Sequence, residues 1–174
     1  MHVLVTYASN HGSTQEIAER IAAGLNRLGV GADVSRMNRV NDLDGYATVV
    51  MGSALYIGRW MKEATAFVER VRPALAHCRV WLFSSGPLGE QPGADPPQIA
   101  PLESSLNVVE HRLFAGAMSK ERLSLVERAL VKGVKAPYGD FRDWNAIDSW
   151  AATIARQLDS SPMPQSAASG LRGE

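Results

Sequence analysis

A short polar segment near the N-terminus carries the residues best suited to holding a ligand. An apolar run ends at Tyr7, and a helical pattern begins shortly afterwards. The residues between offer hydroxyls, an amide, an imidazole and a glycine, namely Ser9, Asn10, His11, Gly12, Ser13 and Thr14. Glycine permits a tight turn with exposed backbone N–H groups, and the helix behind it presents further N–H groups and a positive dipole end. These features predict an anion site, which a phosphate group fits best.

The composition of this loop narrows the kind of phosphate ligand. The loop contains no Lys or Arg, and it is not G-x-x-x-x-G-K-[ST], so a nucleoside triphosphatase is not indicated. The pattern G-x-G-x-x-G of the usual nicotinamide dinucleotide turn is also missing. A polar, uncharged loop favours a single phosphate held mainly by neutral donors. The alternative is an ordinary strand-to-helix turn, in which Ser13 or Thr14 only caps the helix.

The length, composition and net charge of the chain restrict the kind of protein it can be. Its 174 residues, 45% apolar and 21% charged, suit one soluble globular domain. A formal net charge of +0 argues against nucleic-acid binding, which needs a basic excess. The single Cys78 gives neither an internal disulfide nor a metal cluster, and it fits the reducing cytoplasm. We find no pattern of a signal peptide and no apolar stretch that could cross a membrane.

Strand and helix patterns alternate along the chain. Predicted strands cover residues 2–7, 32–37, 47–52, 79–84 and 112–118. A predicted helix starts at Thr14, with Ile17, Ile21, Leu25 and Leu28 at helical spacing. Two more predicted helices start at Met61 and at Trp144, and the one from Met61 ends at Pro73. This alternation predicts an α/β fold with a doubly wound parallel sheet between two helical layers. Ligands of such folds lie beyond the carboxyl ends of the strands, which directs attention to the loops after Tyr7, Gly52 and Ser84.

Three other regions have patterns of their own. Residues 86–101, rich in Pro and Gly, are predicted to be a loop, and the tail 160–174 is predicted to be disordered. The insert 119–142 has the spacing of a basic amphipathic helix, which can pack on the domain, dock a partner or lie on a membrane surface. His77 and His111 are placed beside strand starts, opposite the expected site, and are assigned structural roles. We identify no Ser-His-Asp or Cys-His set and name no catalytic residue or metal site.

The segment Y-A-S-N-H-G-S-T resembles the phosphate loop of the flavodoxin family. The resemblance implies a flavodoxin-like three-layer sandwich over residues 1–159, with a five-stranded parallel sheet of order 2-1-3-4-5, and FMN as the cofactor. It assigns the FMN phosphate to the six loop residues 9–14. It also implies that the loops after the third and fourth strands flank the flavin ring, which adds Ser53, Ala54, Leu55, Tyr56, Ile57, Gly58, Ser84, Ser85, Gly86, Pro87, Leu88 and Gly89.

The aromatic residues of these loops bear on the flavin ring. Tyr56 and Trp60 can supply a flat wall for it, although Trp60 can equally pack against the helix that follows. Flavodoxins often carry an aromatic residue in the loop after the fourth strand, and this chain has none between Ser84 and Pro101. One face of the flavin would therefore stay open, as an enzyme that transfers hydride requires.

Further motifs resemble one branch of the family, the menaquinone-dependent protoporphyrinogen dehydrogenases. They are G-S-A-L-Y-I-G-R-W after the third strand, H-R-L-F-A-G-A-M as the last strand, and a long insert before D-W-N-A-I-D-S-W-A. The resemblance implies an FMN-dependent oxidoreductase that takes hydride from a small-molecule substrate and passes electrons to a quinone. It also implies a cytoplasmic protein that can contact the inner face of the membrane.

Other functions compete with this interpretation. The main alternative is a flavodoxin-type carrier that exchanges electrons with a redox partner protein and has no substrate of its own. Such carriers are strongly acidic, which steers them to basic partners, and the net charge of +0 argues against one. A phosphoacceptor receiver domain needs acidic residues where this chain has Ala8-Ser9 and Gly52-Ser53. A flavodoxin-like domain that has lost its flavin is disfavoured because the first loop is intact.

Overall fold

A parallel sheet forms the centre of the protein in a computed structural model that describes residues 2–86, 95–119 and 138–160. The strands are β1 (His2–Ala8), β2 (Gly31–Arg36), β3 (Thr48–Tyr56), β4 (Arg59–Trp60), β5 (Arg79–Ser85), β6 (Val108–Phe114), β7 (Ala117–Met118) and β8 (Gly139–Asp140). The main sheet has the order β2-β1-β3-β5-β6, and the short β4 pairs with β3 in antiparallel fashion. With β4 set aside, the parallel strands run in the order 2-1-3-4-5.

Among the described residues, two pairs of helices cover the sheet, one pair on each face. The helices are α1 (Ser13–Arg27), α2 (Lys62–Leu75), α3 (Ile99–Ser105) and α4 (Trp144–Asp159). The buried faces of α1 and α4 pack with Val3, Val5, Trp81 and Phe83, while α2 and α3 pack with Leu4, Val49, Val80 and Leu82. Successive residues of a strand point to opposite faces, so the apolar runs of β1 and β5 supply both cores. The expected doubly wound α/β sandwich is confirmed.

Most of the predicted helical faces are confirmed, with two local errors. Ile17, Ile21 and Leu25 of α1 are buried, but Leu28 lies just beyond the helix and is 54% exposed. Pro73 does not end α2, which continues to Leu75. A proline in the last turn removes only one helical hydrogen bond, and the fully buried Leu75 holds that turn against the sheet.

Two strand boundaries differ from the prediction because pairing with neighbouring strands outweighs local composition. β3 extends to Tyr56, since Ser53 and Ala54 pair with the end of β5 before the chain turns back into β4. β6 begins at Val108 and ends at Phe114, so the predicted strand 112–118 was placed too late. β6 is an edge strand, and the polar residues Glu110, His111 and Arg112 in its middle interrupt the apolar pattern that would mark a strand.

The predictions for the loop 86–101, the insert 119–142 and the tail 160–174 can be compared with the structure only in part, and two of them differ from it. The helix α3 was missed, because Pro101 within it and the prolines before it suggested a loop through residue 101. At the end of the insert 119–142, Gly139–Asp140 forms β8 against β7, so this part is not helical. Residues 120–137 of the insert and 161–174 of the predicted tail lie outside the described residues.

Candidate functional site

The three predicted loops start from one edge of the sheet. β1, β3 and β5 are parallel neighbours, and residues near their carboxyl ends lie side by side, Ala8 beside Ser53 and Ser53 beside Ser84. The first loop leaves this edge and enters α1. The second forms a hairpin with β4, and the third leaves β5 at Gly86. The topology therefore gathers the described residues of the predicted site in one place.

The first loop is shaped by a glycine and a serine. Gly12 has a φ of 86°, a conformation that glycine adopts without strain. Its N–H donates to Oγ of Ser9 at 3.1 Å, and its carbonyl accepts the first helical hydrogen bond, from the N–H of Glu16 at 2.9 Å. The N–H groups of residues 13–15 therefore have no acceptor within the helix. They converge at the positive end of the α1 dipole, where an anion is stabilised.

Thr14 is the residue of this loop that most clearly lacks a partner in the protein. It is 1% exposed, and its Oγ1 makes no hydrogen bond. A buried hydroxyl without a partner costs roughly 1–3 kcal/mol, so such atoms are rare in folded proteins. A phosphate oxygen at the start of α1 would supply the missing acceptor. The residues present thus fit a phosphate group.

The other predicted members of the loop have different surroundings. The expected capping role of Ser13 or Thr14 is wrong, since Gly12 holds the N-cap position and no side chain caps the helix. The hydroxyl of Ser13 instead accepts from the N–H of Ala117 at 2.8 Å, which fastens the loop to β7. Asn10 is exposed, and the half-buried His11 has its ring centre 6.5 Å from that of Tyr56. The first loop and the hairpin therefore meet at these two rings.

The hairpin is built from β3 and β4 around a two-residue turn. Ile57 and Gly58 have φ values of 51° and 69°, as a type I′ turn requires. The turn leaves Tyr56 38% exposed and Ile57 fully exposed, while Ala54 and Leu55 are half-buried. The ring of Tyr56 is thus accessible beside the site.

The serine hydroxyls below the hairpin are satisfied by the protein itself. Ser53 is fully buried, and its Oγ accepts from the N–H of Met61 at 3.0 Å and donates to the carbonyl of Ala54 at 2.9 Å. Ser84 is also fully buried, and its Oγ accepts from the indole N–H of Trp60 at 2.8 Å. Trp60 itself is 4% exposed, so it packs beneath the hairpin and offers no open wall.

The third predicted segment is described only in part. Ser85 is 5% exposed, and Gly86, with a φ of 105°, donates its N–H to the carbonyl of Phe114 at 2.9 Å. This bond ties the end of β5 to the end of β6. Pro87, Leu88 and Gly89 lie outside the described residues.

The assignment of His111 beside a strand start is wrong. Because β6 begins four residues before the predicted start, His111 lies in the middle of the strand, opposite Leu82. Its Nε2 is 3.0 Å from Oγ of Ser84, and its Nδ1 is 3.1 Å from the carboxylate of Asp95. The sequence suggested no such set, because these residues are far apart in the chain and register alone joins them.

The buried side chain of Arg142 binds two partly exposed carboxylates next to the first loop. The guanidinium of Arg142 is 8% exposed and donates to Glu16 in the first turn of α1 at 2.6 Å. It also forms a two-bond contact with Asp140 at 2.6 and 2.8 Å and lies 4.5 Å above the ring of Trp144. The hydrogen bond from Arg142 lowers the pKa of Asp140. Neutralising Glu16 in this way leaves the start of α1 favourable for an anion.

The described ranges, residues 2–86, 95–119 and 138–160, give no indication of a metal site or of a membrane-spanning helix. Within these ranges no cluster of three or more His, Cys, Asp or Glu side chains could hold a metal ion. None of the helices in the same ranges has the length and apolar character needed to cross a bilayer.

Comparisons with known proteins agree with this architecture. A curated relative, protoporphyrinogen IX dehydrogenase [quinone] of Escherichia coli strain K12, is 23% identical, with 91% of this chain and 97% of that protein covered. Among solved structures, a flavodoxin from the domain Archaea has a TM-score of 0.62 at 17% identity, covering 91% of this chain and 99% of the other. Oxidised Flavodoxin 2 from Bacillus cereus has a TM-score of 0.63 at 18% identity, covering 90% and 99%.

The family model described as "Flavodoxin domain" matches residues 4–145. This match covers most of the chain, including β1 from Leu4 onward, the first loop, the hairpin and the strands through β8. The chain belongs to the flavodoxin-domain family.

Proposed function

We propose that this protein is an FMN-dependent oxidoreductase, which holds the FMN phosphate in the loop 9–14. The observation that carries the proposal is the hydroxyl of Thr14, buried without a partner at the start of α1, where the first N–H groups have no acceptor within the helix. Family membership implies a flavin cofactor. Among flavins, FMN has the single terminal phosphate that a short, uncharged loop can hold with neutral donors.

Within this proposal the chain's own groups divide the work. The N–H groups at the start of α1 and the hydroxyl of Thr14 bind the phosphate, while Arg142 offsets the charge of Glu16 nearby. Tyr56 offers an aromatic face beside the ring, and the backbone of residues 54–58 and 84–86 lies along the same edge. Bound FMN supplies the hydride and electron transfer. The chain contributes binding, orientation and the exclusion of water.

The E. coli relative supports a dehydrogenase that delivers electrons to a quinone, because its name states that activity. Its alignment also covers nearly the full length of both chains. We therefore propose a small-molecule hydride donor of this kind and a quinone acceptor. The buried free thiol of Cys78 accords with a reducing compartment such as the cytoplasm. The segment 119–142, whose central part lies outside the described residues, is the proposed contact with the inner face of the membrane.

The test combines cofactor retention with electron transfer. Purified protein mixed with FMN and freed of excess should keep flavin absorption bands, and the loaded protein should be reduced by protoporphyrinogen and reoxidised by a menaquinone analogue without air. A protein that retains no flavin would contradict the FMN proposal. Retained flavin that neither donor nor quinone changes would favour the carrier alternative, in which a redox partner protein exchanges the electrons.

A further inference from the structure

A line of four side chains runs beneath the proposed flavin site and joins its two flanking segments. The indole N–H of Trp60 donates to Oγ of Ser84 at 2.8 Å, and that oxygen lies 3.0 Å from Nε2 of His111. Nδ1 of His111 lies 3.1 Å from the carboxylate of Asp95. The side chain of His111 is 4% exposed and that of Asp95 is 69% exposed, so the line runs from the core to the surface.

The two ends of the line fix the position of every proton along it. The indole of Trp60 can only donate, so Ser84 accepts there, whereas an ionised carboxylate can only accept, so Nδ1 of His111 carries a proton. In neutral His111, Nε2 is then an acceptor, and the hydroxyl of Ser84 donates to it. The line is fully satisfied only when His111 is neutral and Asp95 is ionised.

Three members of the line, Ser84, His111 and Asp95, are of the residue types that form the catalytic triads of hydrolases. They are not arranged for nucleophilic attack. Ser84 is fully buried, and its oxygen is occupied by the indole of Trp60. A nucleophile must reach a substrate. We therefore assign these hydrogen bonds a role in holding the four side chains in place, and no role in nucleophilic catalysis.

The members belong to the segments on either side of the site. Trp60 ends the hairpin that carries Tyr56 and Ile57, and its backbone N–H also contacts Oε1 of Gln98 at 3.4 Å. Asp95 and Gln98 precede α3, on the return of the chain from the third predicted segment. Ser84 and His111 connect the two across β5 and β6. The line thus links the hairpin to the opposite flank of the site.

We propose that His111 is a positioning residue for FMN, which through Ser84 and Trp60 holds the hairpin in the geometry that receives the flavin. This role rests on the proposed function. Protonating His111 would direct two donors at the oxygen of Ser84 and leave the serine hydroxyl without an acceptor in a fully buried position, which is costly. FMN affinity should accordingly fall when His111 becomes charged.

The charges around His111 set the direction of this effect. Burial lowers the pKa of His111, while the carboxylates of Asp95 and of Glu103 on α3 oppose that shift. The charged neighbours on its own strand, Glu110 and Arg112, pair with each other, and Glu110 also accepts from Trp150 on the opposite face of the sheet. The stabilising contribution of neutral His111 is present above the ordinary pKa near 6.5 and is lost as the pH falls below it.

The experiment measures the dissociation constant of FMN between pH 5 and pH 8 for the full chain and for two variants, Asp95→Asn and His111→Gln. The second proton of the FMN phosphate titrates in the same range, so each variant is compared with the unchanged protein at each pH. We expect His111→Gln to weaken binding about fivefold or more at pH 8, and this difference to shrink toward pH 5. Asp95→Asn should move the loss of affinity to lower pH, because the carboxylate that favours the charged imidazole is gone.

Two controls separate this role from general effects on folding. His77→Gln changes an exposed histidine just before β5, at the opposite end of the strands from the site, and Asp44→Asn changes an exposed carboxylate. Neither should alter the dependence of FMN affinity on pH. If His111→Gln fails to fold, the surface variant Asp95→Asn still tests the role through its shifted profile. Profiles of Asp95→Asn and the unchanged protein that superimpose would overturn the positioning role alone. Absence of FMN binding by the unchanged protein at pH 8 would overturn the proposed function and this role with it.

Discussion

The first loop and the hairpin lie side by side at the same edge of the sheet, yet they use their polar atoms differently. In the first loop, the hydroxyl of Thr14 has no partner in the protein, and the N–H groups at the start of α1 have no acceptor within the helix. Below the hairpin, the hydroxyls of Ser53 and Ser84 are each engaged with other protein groups. The first arrangement costs stability unless a ligand is bound, whereas the second stabilises the protein by itself.

The difference suggests a division of roles. The unsatisfied loop supplies the specific contacts with the phosphate, and the satisfied hairpin holds its own shape so that a ring can lie against it. Substitutions in the loop should therefore change ligand affinity more than stability. Those beneath the hairpin should change stability first and affinity through it.

The largest expected effect comes from filling the space at Gly52, where β3 passes under the ring of Phe83. A methyl group there would lie 1.9 Å from that fully buried ring. Gly52→Ala should lower the free energy of unfolding by about 3 kcal/mol or more, since neither strand can yield without repacking the core. Chemical denaturation measures the loss.

Gly116→Ala is the matched control for that change. Its added methyl group would meet the nearest atom, Oγ of Ser85, at 3.4 Å, an ordinary contact. We expect a change below about 1 kcal/mol. Equal losses at the two glycines would contradict the account of a rigid support under the hairpin.

An intermediate effect is expected behind the first loop. Arg142→Met leaves Glu16 and Asp140 without their buried cation and should lower the free energy of unfolding by about 2 kcal/mol. This loss is smaller than that caused by breaking a fully buried ion pair, because both carboxylates are partly exposed. Arg142 lowers the pKa of Asp140, so its contribution is present above the ordinary value of 3.8 and is lost as the pH falls below it. Denaturation curves at pH 7 and pH 3 should converge for the variant and the unchanged protein at the lower pH.

A matched substitution on the same face of the molecule tests the specificity of that result. Arg156→Met on α4 removes an exposed arginine whose side chain bonds only to Thr153 among the described contacts. Its stability should match that of the unchanged protein at both pH values. A loss as large as that of Arg142→Met would show that the loss of a positive charge alone, and not the loss of the buried Arg142 contacts, is responsible.

The smallest expected effect is a gain of stability at the hairpin tip. Ile57 is a β-branched residue with a φ of 51°, and it is fully exposed, so it is strained without packing in return. Asparagine is favoured at this position of a type I′ turn, and Ile57→Asn should raise the free energy of unfolding by about 1 kcal/mol. The same change at Val34, on the extended strand β2, should bring no gain. A variant at position 57 that is less stable than the unchanged protein would show that the isoleucine makes a stabilising contact.

The parts of the fold that the sequence predicted are those governed by local patterns. The apolar runs of β1 and β5 and the helical spacing of Ile17, Ile21 and Leu25 each follow from one segment alone. The first loop was predicted as an anion site from one segment as well, because its glycine and hydroxyls lie within six consecutive residues.

The missed features depend on contacts between distant segments. Pairing with β5 extends β3 to Tyr56, although Ser53 and Ala54 are small residues typical of loops. The register of β6 places His111 beside Ser84, and no local pattern indicates a partner 27 residues away. Ser13, predicted to cap α1, instead bonds to Ala117, 104 residues later. Predicting such contacts requires the topology of the sheet.

The claim that the first loop binds the phosphate of FMN is tested most directly by comparing two threonines. Both are buried, but they lie in different parts of the fold. Thr14 and Thr6 both have a buried Oγ1 without a partner, the first at the start of α1 and the second within β1. Affinities for FMN and for riboflavin, which lacks the phosphate, should be measured for Thr14→Val and Thr6→Val. We predict that Thr14→Val binds FMN about 10- to 100-fold more weakly, with riboflavin affinity unchanged and stability not reduced, and that Thr6→Val changes neither affinity. Unaltered FMN affinity in Thr14→Val would contradict the account.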